Sequence, residues 1–185
     1  MAQNEVRIIG GLWKGRKLRF PLRRALRPSL GRVRETLFNW LSAQVQDSDC
    51  LDLFAGSGAL GFEALSRGAK SVTFVERDRS VAQALKDNAR LFDAVQCTVR
   101  QQTAARFLQH ASLDASDWNI LFLDPPFATQ LLEKTLMLIA ETNTLRTGGL
   151  IYFECTRRHE LDLEGWRLVK RGAAGDTQFG LLASV

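Results

Sequence analysis

Two periodicities of apolar positions alternate along this chain, and the alternation is regular from residue 50 onward. Short aliphatic or β-branched runs end in turn residues, and apolar positions at helical spacing follow. The runs Cys50–Phe54, Ser71–Glu76, Val95–Val99, Asn119–Leu123 and Leu150–Glu154 are the predicted strands. Helices are predicted between them over Ala59–Arg67, Ser80–Phe92, Ala104–His110 and Leu131–Ala140. Strands alternating with helices predict a parallel sheet covered on both faces. The tail departs from this rhythm. Trp166–Lys170 and Thr177–Ala183 read as strands joined through Gly172 and Gly175, and a parallel crossover needs about a dozen residues or more, so this pair must be antiparallel. The expectation is an α/β fold: a mostly parallel sheet of about seven strands with an antiparallel terminal hairpin at one edge.

Ahead of residue 50 the pattern differs. Val6–Ile9 and Lys17–Phe20 read as a small β-hairpin, with Gly10, Gly11 and Gly15 as turn material. A basic loop runs from Pro21 to Pro28, and Ser29 is placed to cap a helix in which Val33, Leu37, Trp40, Leu41 and Val45 recur. Asp47-Ser48-Asp49 ends that helix. The chain therefore divides into an arm over residues 1–30 and a main domain over residues 31–185.

Chemistry concentrates where predicted strands end. Asp52-Leu53-Phe54-Ala55-Gly56-Ser57-Gly58-Ala59-Leu60-Gly61 runs from the first strand of the main domain into a helix and satisfies G-x-G-x-x-G. Such glycines permit a tight turn and close backbone approach to a ligand at a helix N-terminus. Glu76 closes the next strand, where a carboxylate can accept both ribose hydroxyls of a nucleoside. A dinucleotide dehydrogenase fits up to this point. Asp52 argues against it, because a carboxylate at the strand tip repels a pyrophosphate and suits a cationic ligand; neither His110 nor His159 has a catalytic setting beside a nicotinamide. S-adenosylmethionine has the matching parts, an adenosine for Glu76 and a zwitterionic methionine for Asp52 and the loop amides.

At the end of Asn119–Leu123 stands Asp124-Pro125-Pro126-Phe127. Asp124 is a hydrogen-bond acceptor, the prolines are stiff and carry no N–H, so their carbonyls can face a ligand, and Phe127 offers a flat face for stacking. The four together suit a planar group bearing an NH2, without saying which purine carries it.

Composition narrows the classes. The chain has 185 residues with 45% hydrophobic and 24% charged, an ordinary globular balance for one domain with a core. No apolar run approaches the ~20 residues of a membrane span, and the first residues carry no signal-peptide apolar region. Cys50, Cys97 and Cys155 are widely spaced and read as reduced core thiols of a cytosolic protein. Two histidines and no paired cysteine spacing speak against zinc, and no metal is expected. The net charge of +5 hides an asymmetry: ten basic residues fall in the first 34 against Glu5 alone, and the rest of the chain nets −4. A basic arm on a mildly acidic body is the footprint of a nucleic-acid partner. Aliphatic and aromatic residues interleaved with the charge predict that the arm is folded, and Trp13 within it is expected in the hairpin core or, less favoured, stacked on a base.

The motifs Asp52-x-Phe54-x-Gly56-x-Gly58, Glu76 and Asp124-Pro-Pro-Phe127, in that order, resemble the signature of Rossmann-like class I methyltransferases acting on exocyclic amines of bases. The resemblance narrows at Arg7-Ile8-Ile9-Gly10-Gly11-x-Trp13-Lys14-Gly15-Arg16-Lys17-Leu18, at Leu26-Arg27-Pro28 and at Arg32-Val33-Arg34-Glu35-Thr36-Leu37-Phe38-Asn39-Trp40-Leu41, all similar to the RsmD family of bacterial small-subunit rRNA guanine-N2 methyltransferases. It implies transfer of a methyl from S-adenosylmethionine, released as S-adenosylhomocysteine, to the 2-amino group of a guanine in 16S ribosomal RNA. It implies Asp52, Phe54, Gly56, Gly58, Glu76 and Thr103 as cofactor-binding residues and Asp124, Pro125, Pro126 and Phe127 as catalytic ones. Thr103 stands where the family commonly has an acidic or amide residue facing the adenine, and Leu30 and Gly31 also depart from the family pattern. Arg7, Lys14, Arg16, Lys17, Arg27 and Arg34 are the expected RNA contacts, in a cytoplasmic monomer acting on ribosomal RNA within a small-subunit particle or assembly intermediate. Two other readings compete. An RNA-binding module that has lost catalysis would not need both the glycine loop and the Asp124 quartet, and a DNA adenine methyltransferase would need a target-recognition domain for which 185 residues leave no room.

Overall fold

The apolar runs pair in register into one sheet, and the helices that follow them cover its two faces. In the computed structural model, which describes residues 3–22, 31–111, 118–126 and 130–185, the sheet strands are β3 (Asp49–Asp52), β4 (Ser71–Glu76), β5 (Cys97–Gln101), β6 (Trp118–Leu123), β7 (Leu145–Thr156), β8 (Trp166–Ala174) and β9 (Thr177–Ser184). A separate two-stranded hairpin is built from β1 (Gln3–Arg7) and β2 (Lys17–Pro21). The helices are α1 (Gly31–Trp40), α2 (Ala59–Ser66), α3 (Arg79–Leu91), α4 (Ala104–Ala111) and α5 (Leu131–Thr142).

The order across the sheet is β5-β4-β3-β6-β7-β9-β8, with β9 running antiparallel between β7 and β8. The other neighbours are parallel. Succession reverses between β3 and β6, which opens a crevice beyond their carboxyl ends. Side chains alternate between two apolar clusters. Cys50, Phe122 and Tyr152 join residues of α1, α2 and α3 on one face. Leu51, Leu121 and Phe153 join residues of α4 and α5 on the other. The central strands β3, β6 and β7 are thus apolar on both sides, as a covered parallel sheet requires, and the edge strand β5 is largely exposed.

The expected elements are present, and several bounds shift for identifiable reasons. The strand expected at Val95–Val99 runs instead over Cys97–Gln101, because a turn holds Cys97 N–H to the Ala94 carbonyl and leaves Val95 88% exposed. The strand expected at Leu150–Glu154 begins at Leu145, since Gly148, at φ 77°, is accommodated in an irregular pairing with β6. The helix expected to reach Val45 ends at Trp40; Leu41 and Val45 stay buried through turn bonds to Leu37 and Leu41. The expected cap Ser29 and Leu30 lie outside the described residues.

The described part of the arm shares the main core. Ile8, Trp13 and Leu18 belong to the cluster that holds Phe62 and Phe92. Trp13 is 8% exposed with its ring 5.1 Å from Phe92, so it is a core residue and not a surface for stacking a base. Gly11 makes this docking possible: at φ 75° it brings Leu12 N–H to the Ser66 carbonyl at 2.7 Å, and a Cβ there would lie 1.8 Å from that oxygen. Cys50 and Cys155 are buried and Cys97 half-buried, all as free thiols.

Candidate active site

The carboxyl ends of the parallel strands surround a cavity of about 710 Å³. Asp52 at the tip of β3, Glu76 at the tip of β4, Thr103 after β5 and Asp124 after β6 all line it. Phe54, Gly56, Pro125 and Pro126 line it as well. Eight residues spread over 75 positions of sequence are thereby gathered at one crevice, where a sheet of this topology holds ligands. Phe127 lies outside the described residues.

Gly58 works from beneath the surface. It takes φ 77° at the N-cap of α2, and a Cβ there would come within 2.6 Å of Leu85 and 2.7 Å of Phe62. Only glycine adopts that turn without pushing the loop away from the helices below. Gly61 lets α2 sit against β4, since its Cβ would fall 2.3 Å from Phe74.

The two acidic residues assigned to a ligand also hold the loop itself. Gly56 N–H donates to Glu76 Oε2 at 3.0 Å, and Asp78 N–H donates to Oε1 at 2.8 Å. Gly61 N–H donates to Asp52 Oδ2 at 3.3 Å. A carboxylate offers about four acceptor positions, so these amide bonds orient Glu76 and Asp52 toward the cavity. Asp52 is 2% exposed, and its carboxyl is pushed up to about 7, chiefly by burial, with the charge of Glu76 adding to the rise. Amide bonds from Gly61 and Phe54 oppose it. A carboxylate raised in this way is poised to ionise beside a cation.

This shift predicts a pH dependence of stability. The folded-state value lies above the ordinary 3.8, so the contribution of Asp52 is full at acid pH and is lost as pH rises through about 7. Between pH 5 and pH 7 wild-type stability should therefore fall relative to Asp52→Asn by about 2 kcal/mol, at about 1.4 kcal/mol per pH unit and one proton. Urea unfolding of both proteins across that range tests it. Parallel curves would show that Asp52 is ionised throughout.

Thr103 is exposed at the start of α4, where its Oγ1 accepts the Arg106 N–H at 3.3 Å. It is thus a helix-capping residue at the cavity rim. Asp124 is half-buried, Pro125 buried and Pro126 exposed.

Periodicity left one acidic residue unremarked. Glu154 of β7 is 4% exposed, lines the cavity, and accepts the Tyr152 O–H at 2.5 Å. Burial and the charges of Glu154 and Asp124 hold the Tyr152 phenol well above its ordinary value, so it stays a donor. The available signal was that Glu154, like Asp124, is an acid terminating an apolar strand prediction.

The expected RNA contacts fare differently. Arg34 is 3% exposed, which rules it out as a phosphate contact. Its guanidinium lies 3.7 Å from the buried Glu63 and donates from Nη2 to the Arg7 carbonyl at 3.0 Å. Burial lowers its pKa, and the charges of Glu63 and Glu154 counter that. Arg34 therefore joins α1 to the arm and to α2. Arg16 donates to the Leu91 carbonyl at 2.6 Å with its guanidinium 4.1 Å over the Phe92 ring. Lys17 pairs with Glu5 at 2.5 Å, and Arg7 donates to the Gly15 carbonyl at 3.1 Å. Arg7, Lys14, Arg16 and Lys17 are all solvent-exposed; Arg27 lies outside the described residues. Among the described residues no group of three or more His, Cys, Asp or Glu is placed to hold a metal ion, and no helix is long and apolar enough to cross a membrane.

Comparison with known proteins agrees with this geometry. A family described as Conserved hypothetical protein 95 matches residues 6–183. Ribosomal RNA small subunit methyltransferase D of Haemophilus influenzae is 45% identical over 183 residues, covering 97% of this chain and 94% of the relative. The protein of the same name from Escherichia coli K12 is 44% identical, covering 96% and 89%. The solved structure of Escherichia coli yhhF superposes with a TM-score of 0.85 at 42% identity, covering 98% of each chain. The 16S rRNA N2 methyltransferase RsmC of T. thermophilus, solved with AdoMet and guanosine, shares the fold at a TM-score of 0.72 and 18% identity, over 99% of this chain and 50% of its own. With a glycine loop, an acidic strand tip and an Asp-Pro-Pro turn converging on one cavity, and with relatives of this identity over nearly the whole length, the chain belongs to the ribosomal RNA small subunit methyltransferase D family.

Proposed function

We propose that this protein methylates the exocyclic 2-amino group of a guanine in 16S ribosomal RNA, using S-adenosylmethionine. The observation that carries the reading is the shared cavity: Asp124 and Pro125 open into the space that the glycine loop, Asp52 and Glu76 surround. The cavity residues fit the cofactor. Gly56 leaves its part of the wall without a side chain, Glu76 suits ribose hydroxyls, and the buried Asp52 suits an ammonium. When bound, S-adenosylmethionine supplies a methyl on a strongly electrophilic sulfonium.

The protein's own work is on the amine. A guanine 2-amino nitrogen is a weak nucleophile because its lone pair is delocalised into the ring. Asp124 accepts one of its N–H groups and the Pro125 carbonyl the other, which pyramidalises the nitrogen and withdraws its lone pair from conjugation. Once the nitrogen is methylated and cationic, the proton held by Asp124 can leave to the carboxylate. As positive charge develops on nitrogen, the carboxylate and carbonyl are already aimed at it, and positioning with electrostatic stabilisation provides the acceleration. Phe127 is assigned to holding the ring. The base must leave its stack to enter the cavity.

The exposed basic residues of the arm, Arg7, Lys14, Arg16 and Lys17, together with Arg27, are assigned to the RNA backbone. The names of the relatives support small-subunit ribosomal RNA as the substrate; the reading extends, as a proposal, to a monomeric cytoplasmic enzyme acting on a small-subunit particle or assembly intermediate. Replacing Lys14, Lys17 and Arg27 with Gln should weaken RNA binding and lower the slope of log affinity against log salt by about 2–3, since each lost phosphate contact removes about 0.7–0.9. Filter binding between low and moderate salt measures it. A triple variant with the wild-type slope would mean that RNA is gripped elsewhere. Labelled S-adenosylmethionine offered with naked RNA, small subunits or DNA tests the activity, and label on DNA alone would overturn the proposal.

A further inference from the structure

We infer that Glu154 selects the purine, its carboxylate accepting the N1–H of the guanine whose 2-amino group Asp124 holds. The inference rests on the function proposed for this cavity and names the residue that gives it base specificity.

The placement follows from the sheet. Leu123 of β6 and Phe153 of β7 are register partners, and both point into the cluster covered by α4 and α5. Asp124 directly follows β6 and Glu154 comes next on β7, each two positions past a residue of the α1-side cluster (Phe122 and Tyr152), so alternation carries both toward that face. Adjacent strands run about 4.8 Å apart, and both residues line the cavity, with Val33 of α1 as an apolar wall. Glu154 is also held in place. Tyr152 O–H fixes it from below, and the charge of Glu154 helps keep the buried Arg34 guanidinium protonated. With about four acceptor positions, a carboxylate accommodates the tyrosine and a base N–H together.

The chemistry matches one purine. Guanine presents N1–H beside its 2-amino group, two neighbouring donors. Adenine presents a bare N1 lone pair beside its 6-amino group. The Asp124–Pro125 pair accepts an NH2 from either base. A second acceptor one strand away completes the match to guanine and sets lone pair against lone pair for adenine. Sites that hydrogen-bond a substrate N–H discriminate strongly against a base lacking it.

The test uses small-subunit particles reconstituted with RNA carrying either guanine or 2-aminopurine at the position the wild-type enzyme methylates. 2-Aminopurine keeps the 2-amino group and has no N1–H. The quantity is the guanine-to-2-aminopurine ratio of single-turnover rates, compared between wild type and Glu154→Gln, which cancels the intrinsic reactivity of each base. Fluorescence of the 2-aminopurine on extrusion gives a binding readout independent of methylation. In Glu154→Gln the tyrosine favours the amide oxygen and the NH2 turns toward the base, so the ratio should fall by about tenfold or more, and 2-aminopurine should bind more tightly. Glu154→Asp keeps the acceptor at shorter reach; it should slow guanine while preserving the sense of the preference. It also carries the test should melting curves show Glu154→Gln unfolded. Equal loss on both bases, with the ratio unchanged, would reduce Glu154 to a structural role and overturn the inference. A wild-type enzyme that labels no guanine N2 would instead overturn the proposed function itself.

Discussion

Asp124→Ala should lower the single-turnover rate of methyl transfer by about 10²–10³-fold, the usual cost of removing one preorganised group that faces developing charge. Cofactor affinity should stay within about twofold. The two effects separate because different strands supply them. The glycine loop is fastened by Glu76 and Asp52, through amide bonds from Gly56, Asp78 and Gly61. Asp124 stands across the cavity at the end of β6, on a turn stiffened by Pro125 and Pro126. Equilibrium titration with S-adenosylmethionine, set beside rapid-quench transfer to RNA, measures both. Equal losses of affinity and rate would withdraw the role assigned to Asp124. Asp124→Asn is the sharper variant: it preserves shape and one acceptor, removes the charge, and should lose most of the rate if stabilising the ammonium-like nitrogen is what matters.

The largest effect on stability should come from Glu63→Ala. Glu63 of α2 is fully buried, yet it gathers three donors, the amides of Ile9 and Gly10 and Arg67 Nε at 2.8 Å each, and an ion-pair partner in Arg34, whose Nη1 lies at 3.7 Å. Removing the carboxylate strands a buried guanidinium, whose Nε and Nη1 have no hydrogen-bond partner among the described residues, and leaves two amides of the arm unsatisfied. Breaking one partner of a buried pair costs about 3–5 kcal/mol. For a domain of this size that is a fall in Tm of about 10 °C. Hydrogen exchange at Ile9 and Gly10 should rise with it, because their acceptor is gone and the arm loosens. Urea unfolding that showed a loss below about 1 kcal/mol would mean that water or a rearranged Arg67 replaces the carboxylate.

The same cluster shows where sequence reasoning stops. Arg34 belongs to a run of basic residues, and charge patterning alone placed it on an RNA surface. Its burial depends on Glu63, 29 positions away, and no local pattern reports that partner. Trp13 is similar, since its ring is accounted for by Phe92, far along the chain. Val95 was read into a strand because it is β-branched, and a turn bond two residues later excluded it. In each case a tertiary contact or a single hydrogen bond outweighed a local propensity, which is worth only about 1 kcal/mol.

The order of strands and helices, the antiparallel tail and the residues at each strand tip were legible in the sequence. Apolar alternation has a period that only one secondary structure satisfies, and the crossover length left the tail one direction. Asp52, Glu76 and Asp124 were found because acids ending apolar runs are out of place unless they serve a site. The family could be recognised from the same motifs. Tertiary structure alone decided how these parts share work. It turned Asp52 and Glu76 into braces of the loop as well as cavity walls, moved Arg34 from surface to core, and set Glu154 on the strand beside Asp124. Those outcomes depend on which strands are neighbours and which face each residue takes, quantities fixed by pairing across the sheet and by burial between distant segments.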